Sequence, residues 1–347
     1  MTTLMRGEIE EQPAALRRTL DGLRPLIPEI AALGRETRQV LFIGRGSSDN
    51  AAVYGRYLAE VRCGRLATLA SPSVATVYRG RLDLDGVLAV ALSQSGRTEE
   101  IVETLDWARD CGARTVAVTN ATGSPLAEVA DLTLVTGAGT ERAVPATKTY
   151  VTQLGALACL ALGLGGADDL AEPLARVPDE IERMVAKADA AEALAAELAG
   201  AGGLVVSGRG FAFSTALELA LKFEEACYVP AIGLSYADLL HGPIAVLDAD
   251  TPALLVSPDE GAVVSDMRVL ADRVTSVGVP VYAIGGGVGL AGVGRTALAG
   301  PALPEELAPL GLVVPGQLAA EALARRLGID PDRPRGLGKV TQTSPGR

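Results

Sequence analysis

The sequence repeats itself, and this repeat limits the chain to a fold with two similar units. The segment VLFIGRGSSDNAAVYGRYLAE (40–60) resembles LVVSGRGFAFSTALELALKFEE (204–225), and their GRG turns align at an offset of 164 residues. The same offset pairs ALSQSG (91–96) with LVSPDEG (255–261), with one extra residue. Two copies of one α/β unit account for a chain of 347 residues better than one large sheet does.

Six apolar runs of strand length carry the prediction of the fold class. Continuous apolar runs are typical of strands in a parallel sheet that helices cover on both faces. Stretches of helical length separate the runs, which favours βαβ units. We therefore predict an α/β protein with a core of Ala, Leu and Val, because the chain is 48% hydrophobic but only 3% aromatic. The predicted strands are 40–44, 87–92, 115–120, 204–208, 253–257 and 281–286.

The charge and the composition argue against several classes of protein. A net charge of −11 does not suit a nucleic-acid or anionic-membrane surface, since both need a basic footprint. The N-terminus lacks the apolar region of a secretory signal, and the longest apolar stretch (154–167) is too short to span a bilayer. We expect a soluble protein with neither a nucleic acid nor a membrane as partner. A phosphorylated small molecule remains compatible, because helix N-termini can hold a phosphate.

The cysteines are far apart in the sequence and form no CxxC pair. Neither a zinc site nor a disulfide framework is predicted, so a reducing cytoplasm is the simpler expectation. We expect no metal and no cofactor. The four residues are Cys63, Cys111, Cys159 and Cys227.

Hydroxyl-bearing residues cluster after two strands of the first copy. Ser93, Ser95 and Thr98 of SQSGRT precede a predicted helix, and Ser48 follows the neighbouring GRG turn. Ligands of open α/β folds bind at this carboxyl edge, so the cluster indicates a phosphate site, although ordinary N-capping explains a single hydroxyl equally well. The GRG turns match neither a Rossmann fingerprint nor a Walker A motif. The second copy carries SPDEG instead, whose two carboxylates would repel phosphate, so we expect one phosphate site per chain.

The helix STALELALKFEEAC of the second copy carries an ionisable face. Glu218, Lys222 and Glu225 fall together opposite an apolar stripe at helical spacing. A favourable Glu218–Lys222 pair on a solvated face is one interpretation. The alternative is a cleft in which an amine lies beside a carboxylate for proton transfer, and periodicity does not separate the two.

Two scarce residue types give further candidates. His241 in LLHGP is the only histidine, and it is either a structural turn residue before Gly-Pro or the one side chain whose ordinary pKa suits proton transfer at neutral pH. Lysine is rare among the 31 basic residues, and unlike arginine it offers an amine for Schiff-base chemistry. The lysines are Lys148, Lys187, Lys222 and Lys339.

Together these motifs resemble the tandem sugar isomerase (SIS) domain family. The resemblance covers the isomerase half of glucosamine-fructose-6-phosphate aminotransferase and the stand-alone glucosamine-6-phosphate deaminase/isomerases. It implies two SIS domains, each a flavodoxin-like parallel five-stranded sheet flanked by helices. The matching stretches are EIEEQP (8–13), GRGSS (44–48), SQSGRT (93–98), GTERAVPATKTY (139–150), ALKFEEACYVPA (220–231), LLHGP (239–243) and PDRPRGLGKVT (331–341). The expected divisions are an N-terminal helical segment (1–35), a phosphate-binding SIS domain (36–168), a helical linker (169–200), a second SIS domain (201–328) and a C-terminal active-site tail (329–347).

The resemblance also implies a role for each candidate residue. Glu225 matches the carboxylate that moves a proton between C1 and C2, and Lys222 the helix lysine beside it. His241 matches the histidine that opens the sugar ring, supplied in relatives across a homodimer interface, and Lys339 matches a lysine able to form an imine with an open-chain ketose. The implied substrate-binding residues are Ser48, Ser93, Gln94, Ser95, Thr98, Val144 and Ala146.

These matches predict an isomerase/deaminase that converts glucosamine-6-phosphate to fructose-6-phosphate and ammonia without a metal. The sequence shows no glutaminase domain, so we expect release of ammonia rather than synthesis from glutamine. Ala146 replaces a serine that contacts sugar in the aminotransferase, and Asp238 stands where relatives often carry Glu. A deglycase acting on fructosamine-6-phosphate adducts is the first alternative, and a non-catalytic phosphosugar-binding protein is the second.

Overall fold

The structure is a computed structural model that describes residues 2–290 and 292–339. Its strands form two five-stranded sheets, and every adjacent strand pair is parallel. Helices flank both sheets, so the predicted α/β fold with two parallel five-stranded sheets is confirmed. The strands are β1 (Gln39–Ile43), β2 (Leu66–Leu69), β3 (Val87–Leu92), β4 (Arg114–Thr119), β5 (Leu132–Val135), β6 (Leu204–Gly208), β7 (Ala231–Ser235), β8 (Ala253–Ser257), β9 (Val281–Gly285) and β10 (Thr296–Leu298).

Helices connect these strands in the pattern of βαβ units. Short 3₁₀ turns cover Arg24–Leu26, Asp168–Leu170 and Pro243–Val246, and a π-helical turn, Leu58–Arg62, extends the fourth α-helix. The α-helices are α1 (Leu4–Glu10), α2 (Gln12–Leu23), α3 (Ile27–Gly34), α4 (Ser47–Tyr57), α5 (Ser73–Thr76), α6 (Glu99–Asp110), α7 (Pro125–Val129), α8 (Lys148–Leu164), α9 (Ala171–Val185), α10 (Ala188–Leu198), α11 (Ala212–Cys227), α12 (Tyr236–Leu240), α13 (Val264–Ser276), α14 (Gly287–Leu290) and α15 (Ala308–Arg326).

The two sheets have the same topology, as the internal repeat predicts. The first has the order β2-β1-β3-β4-β5, and the second, β10-β9-β8-β6-β7, is the same order read from its other edge. In both GRG turns the first glycine is required sterically. A Cβ atom on Gly44 would lie 2.9 Å from the backbone of Ser48, and one on Gly208 would lie 2.6 Å from the carbonyl oxygen of Ala212. Both turns therefore bring the following helix against the end of the strand.

All six predicted strands are present, and the other four are the edge strands of the two sheets. These are β2, β5, β7 and β10, which have three to five residues and mixed burial patterns. They carry no continuous apolar run because neighbours cover them on fewer sides than the central strands.

The chain divides into two compact units, each built around one sheet. The first-sheet unit contains Ala14–Glu141, Lys148–Ala175 and, among the described residues, 338–339. The second-sheet unit contains Arg142–Thr147 and Arg176–Leu337 together with residues from the N-terminus up to Pro13. The domain boundaries inferred from the sequence stay a prediction, and residues 340–347 of the inferred C-terminal tail lie outside the described residues.

The strand order fixes where a ligand site is expected in the first-sheet unit. The order reverses between β1 and β3, which are paired from Gln39–Val87 to Ile43–Ala91. Open α/β sheets bind ligands at such a switch point, beyond the carboxyl ends of the strands. The turns that leave this point are GRGSS and SQSGRT. Across the residues described, no helix has the length and apolar composition needed to cross a membrane.

Candidate active site

The GRGSS turn presents Ser48 in the first turn of α4. Gly46 begins this helix with a φ of 56°, a left-handed value that glycine adopts without strain. The Oγ atom of Ser48 accepts a hydrogen bond from Nε2 of Gln153 at 3.0 Å. Gln153 lies on α8 and is 3% exposed, so a buried amide fixes the orientation of this half-buried hydroxyl.

The SQSGRT turn folds around hydrogen bonds of its own. The Oγ atom of Ser93 accepts from the backbone N–H of Gly96, and Oγ of Ser95 accepts from that of Arg97, both at 3.2 Å. Thr98 is the N-cap residue of α6, yet its side chain makes no capping hydrogen bond. The N-capping interpretation therefore does not account for the Thr98 hydroxyl. This half-buried group lies at a helix N-terminus, where the backbone favours an anion.

Charges near these turns are partly compensated. Glu100 in the first turn of α6 pairs with Arg45 of the GRG turn at 3.0 Å. Burial raises the pKa of Asp49 in the first turn of α4, although the Arg45 guanidinium acts in the opposite direction. The Arg45 guanidinium therefore compensates part of the negative charge beside these turns.

Lys339 enters a buried polar network in the first-sheet unit. Its Nζ atom lies 2.7 Å from Oε2 of Glu141, whose side chain is fully buried. Glu141 in turn accepts hydrogen bonds from the backbone N–H of Thr149 at 3.1 Å and from its hydroxyl at 2.6 Å. Lys148 is also buried and donates to the carbonyl oxygen of Thr140 at 2.6 Å. The Glu141 carboxylate, which is hydrogen-bonded to the start of α8, therefore positions the Lys339 amine.

The Lys–Glu helix of the second copy is α11, which leaves the end of β6. The Lys222 side chain is fully buried, with its ammonium 3.4 Å from the equally buried Glu218 carboxylate and paired with Glu225. The interpretation as a solvated face is therefore wrong for Glu218 and Lys222, because α11 packs against both β7 and α15. Glu225 alone of the three keeps an exposed side-chain fraction, 20%.

Electrostatics keep the Lys222 amine charged. Burial by itself lowers the pKa of this amine, but the neighbouring Glu218 and Glu225 carboxylates outweigh burial and raise the pKa above its ordinary value. Lys222 is therefore an ammonium at neutral pH. A fixed positive charge beside Glu225 can stabilise negative charge that develops on a ligand.

His241 follows α12 in the second-sheet unit and is exposed. Its backbone N–H donates to the carbonyl oxygen of Asp238 at 3.1 Å. The Asp238 carboxylate accepts from the hydroxyl of Ser235, the N-cap residue of the same helix, at 2.6 Å. Asp238 thus serves in the local turn, and the His241 ring is presented on a short helix end.

Val144 and Ala146 lie in the segment Arg142–Thr147, which belongs to the second-sheet unit. Both residues are half-buried, and the backbone N–H of Val144 donates to the carbonyl oxygen of Asp332 at 3.0 Å. Asp332, which lies outside this segment, therefore holds the backbone of the segment in place.

In the second repeat, a carboxylate of the protein occupies the turn that corresponds to SQSGRT. Oε2 of Glu305 accepts a hydrogen bond from the backbone N–H of Ala262, just before α13, at 2.7 Å. Burial raises the pKa of Glu305, and this hydrogen bond opposes the rise. An anion approaching this turn would compete with an internal carboxylate.

Sequence reasoning missed three residues that orient the candidates. Glu141 and Thr149 hold Lys339, and Gln153 holds Ser48. Glu141 and Thr149 lie inside the GTERAVPATKTY motif, so the motif contains both residues but does not predict their contacts. In the described part of the chain, no group of three or more His, Cys, Asp or Glu side chains is arranged to hold a metal ion.

The fold and these groups define an α/β protein of the sugar isomerase type, with two repeats. The model of the SIS domain matches residues 35–163 and 197–319. The chain belongs to the SIS domain family.

Related sequences agree with this assignment. The chain is 35% identical over 341 residues to a glutamine–fructose-6-phosphate aminotransferase (isomerizing) from Pyrococcus horikoshii, and 34% identical over 344 residues to the protein of that name from Thermococcus kodakarensis. Each match covers 96% of this chain but only 57% of the relative, so the chain spans a little over half the length of these relatives.

Solved structures show the same architecture. A provisionally named phosphosugar isomerase from Silicibacter pomeroyi is 33% identical, with a TM-score of 0.85 over 95% of this chain and 100% of that one. Glucosamine-6-phosphate deaminase from Thermotoga maritima, at 23% identity, shares the fold with a TM-score of 0.78 over 98% of this chain and 100% of its own. The family model and the relatives above 30% identity support a sugar-phosphate isomerase enzyme.

Proposed function

We propose that the chain converts glucosamine-6-phosphate and water to fructose-6-phosphate and ammonia, without a metal. The observation that carries this proposal is the buried Lys222 ammonium between Glu218 and Glu225, of which only Glu225 reaches solvent. A carboxylate beside a permanent positive charge is suited to removing a proton next to a carbonyl, because the charge stabilises the electron-rich intermediate.

The reaction begins with opening of the sugar ring. His241 transfers the proton of the C1 hydroxyl to the ring oxygen, which frees the aldehyde. The exposed His241 side chain at the end of α12 can act as the general acid–base for this step. We assign this histidine to the active site of the partner subunit in a homodimer, following the family resemblance.

Glu225 then removes the proton from C2 and returns it to C1. The electron pair of the broken C2–H bond forms the C1=C2 double bond of an enolamine, while the C1 carbonyl oxygen takes up a proton. Return of the proton to C1 and loss of a proton from the amine then leave a C1 hydroxyl and an imine at C2. Water adds to this imine and ammonia leaves, so that fructose-6-phosphate is formed. Lys339 can assist by exchanging its own amine for ammonia at C2 before water releases the ketose.

The phosphate is assigned to the hydroxyls and backbone N–H groups of the GRGSS and SQSGRT turns. The residues are Ser48, Ser93, Gln94, Ser95 and Thr98. The Thr98 hydroxyl, which does not cap its own helix, supports this assignment. We assign Val144 and Ala146 to contacts with the sugar.

The choice of ammonia release over synthesis rests on the chemistry and on one motif. Release needs only water as a second substrate, whereas synthesis needs a donor of ammonia. The RAVPATK segment, with Ala146 in place of a serine, resembles deaminase-type relatives more than the aminotransferase.

The test is a coupled assay of ammonia and fructose-6-phosphate with purified protein and glucosamine-6-phosphate. We expect both products in equal amounts, and their formation about 10² to 10⁴-fold slower with Glu225→Gln. The same preparation is offered fructose-6-phosphate with glutamine, and a fructosamine-6-phosphate adduct of an amino acid. Turnover of either of these without ammonia release from glucosamine-6-phosphate would replace the proposal by a synthase or a deglycase. Tight phosphosugar binding without any turnover would make the chain a binding protein.

The position of His241 has its own test. Mixing and re-associating the inactive variants His241→Ala and Glu225→Gln should restore about a quarter of the wild-type activity if each site combines residues from two subunits. If the mixture stays inactive while subunit exchange is demonstrated, the histidine serves the site of its own chain.

A further inference from the structure

The N-terminal helix α1 is built into the second-sheet unit. The Thr3 hydroxyl donates to the buried Glu321 carboxylate on α15 at 2.8 Å. Just after α1, the fully buried side chains of Gln12 and Gln317 are hydrogen-bonded through Nε2 and Oε1. Helix α1 is therefore anchored on α15 at both ends.

Glu8 points from this helix at the segment 142–147. Its side chain is almost completely buried, with the residue 5% exposed. One carboxylate oxygen accepts a hydrogen bond from the backbone N–H of Arg142, and the other accepts from that of Ala143 at 3.3 Å. A buried carboxylate is costly without such partners, so this contact has a defined geometry.

Asp332 completes the arrangement from the other side. Its carbonyl oxygen accepts from the N–H of Val144 at 3.0 Å. Its carboxylate accepts from the N–H groups of Leu4 and Met5, at the start of α1, at 2.8 Å each. The N–H groups of residues 142 to 144 are therefore bound by two acidic residues, Glu8 on α1 and Asp332, which also binds the start of α1. Pro145 restricts the backbone of the segment further.

We propose that Glu8 is a positioning residue for the substrate-contacting segment 142–147, an inference that rests on the proposed function. Glu8 does not touch the sugar, because both of its carboxylate oxygens face the backbone. It holds the segment so that Val144 and Ala146 meet the sugar without first having to be ordered. Ordering a segment on binding costs affinity, so its prior ordering lowers KM and leaves the chemical step unchanged.

The experiment separates KM from kcat in the variant Glu8→Gln. The Gln side chain keeps one oxygen acceptor. Its NH₂ group, however, faces one of the two backbone N–H groups and cannot accept a hydrogen bond from it. Loss of one charge-assisted hydrogen bond is expected to raise KM about tenfold, with kcat within about twofold of the wild type. Glu8→Asp, which keeps the charge, should recover part of the loss.

The matched control is Thr3→Ala on the same helix. This substitution removes the N-cap of α1 and its bond to Glu321, but no contact with the segment. We expect Thr3→Ala to lower Tm and to leave KM unchanged. If Thr3→Ala and Glu8→Gln raise KM equally at equal loss of Tm, Glu8 acts only through stability and the inference is wrong.

Asp332→Asn serves as the second variant in case Glu8→Gln does not fold. It weakens the contact to α1 while the bond to Val144 uses the backbone, so a smaller rise in KM is expected. An unchanged KM in both acidic-residue variants would overturn the inference. If the wild-type protein turns over no sugar phosphate, the proposed function has failed, which is a different result from an active wild type with an insensitive Glu8.

Discussion

The ammonium of Lys222 lies 3.4 Å from the carboxylate of Glu218, and neither side chain is exposed to solvent. A solvent-exposed i,i+4 pair contributes only a few tenths of a kcal/mol, whereas a buried pair is costly to break. The Glu225 carboxylate, bonded to the same ammonium, is the one member that reaches solvent. Glu218 therefore fixes Lys222, and Lys222 in turn orients Glu225.

The first prediction concerns the stability of this pair. Lys222→Met should lower the free energy of unfolding by about 3 to 5 kcal/mol, because it leaves the buried Glu218 carboxylate without its counter-charge. Urea unfolding measures the loss. Lys187→Met is the matched control, since Lys187 is exposed, and it should change stability by less than about 0.5 kcal/mol. The double variant Glu218→Gln/Lys222→Met should recover part of the loss, and a double variant no better than Lys222→Met would contradict this account.

The second prediction is the pH dependence of the same contribution. The folded-state pKa of Lys222 is raised, so its stabilising effect is fully present below the unfolded-state pKa of about 10.4 and is lost as pH rises through the higher folded value. The stability difference between the wild type and the Glu218→Gln/Lys222→Met variant should stay constant from pH 7 to about pH 10 and shrink above it. A difference that shrinks between pH 7 and 9 would show that the carboxylates do not outweigh burial.

The Lys222 helix also illustrates what the sequence can predict and what it cannot. Periodicity correctly placed Glu218, Lys222 and Glu225 on one face, because helical spacing is local. It failed to predict the burial of Glu218 and Lys222, because α15 lies about 90 residues further along the chain and its packing on α11 leaves no local pattern. The central strands were predictable from their apolar runs, whereas the short strand β10 carries too few residues for such a signal.

The same distinction applies to the candidate site. The GRGSS and SQSGRT turns were predictable together, since the strand order of an α/β sheet brings the carboxyl ends of β1 and β3 side by side. The pairing of Lys339 with Glu141 was not predictable, because the two residues are far apart in sequence and no local sequence pattern links them.

The third prediction separates catalysis by Glu225 from its structural role. Glu225→Gln keeps a hydrogen-bond acceptor for Lys222 but cannot take up a proton. We expect kcat to fall by about 10² to 10⁴-fold, with the sugar-phosphate affinity nearly unchanged. The matched variant is Glu224→Gln, an exposed neighbour on α11, which should retain activity. Steady-state kinetics and calorimetric binding check both statements, and a Glu225→Gln enzyme with near wild-type kcat would remove Glu225 from the proton transfer.

The fourth prediction concerns the different roles proposed for Lys339 and Lys222. Borohydride added to the protein together with fructose-6-phosphate should attach the sugar to Lys339 and not to Lys222, because a buried ammonium with a raised pKa is not a nucleophile at neutral pH. Mass spectrometry of peptides locates the label. Glu141→Gln should reduce labelling of Lys339, because the amine loses the carboxylate that holds it in place. Label on Lys222 would contradict the assignment of the two roles.

The fifth prediction decides between phosphate binding and N-capping at Thr98. If the hydroxyl were a helix cap, Thr98→Val would cost about 0.5 to 2 kcal/mol of stability and leave KM unchanged. The structure gives this side chain no capping bond, so we expect the opposite result: a Tm close to that of the wild type and a KM about tenfold higher, from the loss of a hydrogen bond to a charged group. Ser124→Ala is the matched control, because the Ser124 hydroxyl does cap its helix, α7. It should lower Tm without raising KM, and the two variants together distinguish a hydroxyl that stabilises a helix from one that binds the substrate.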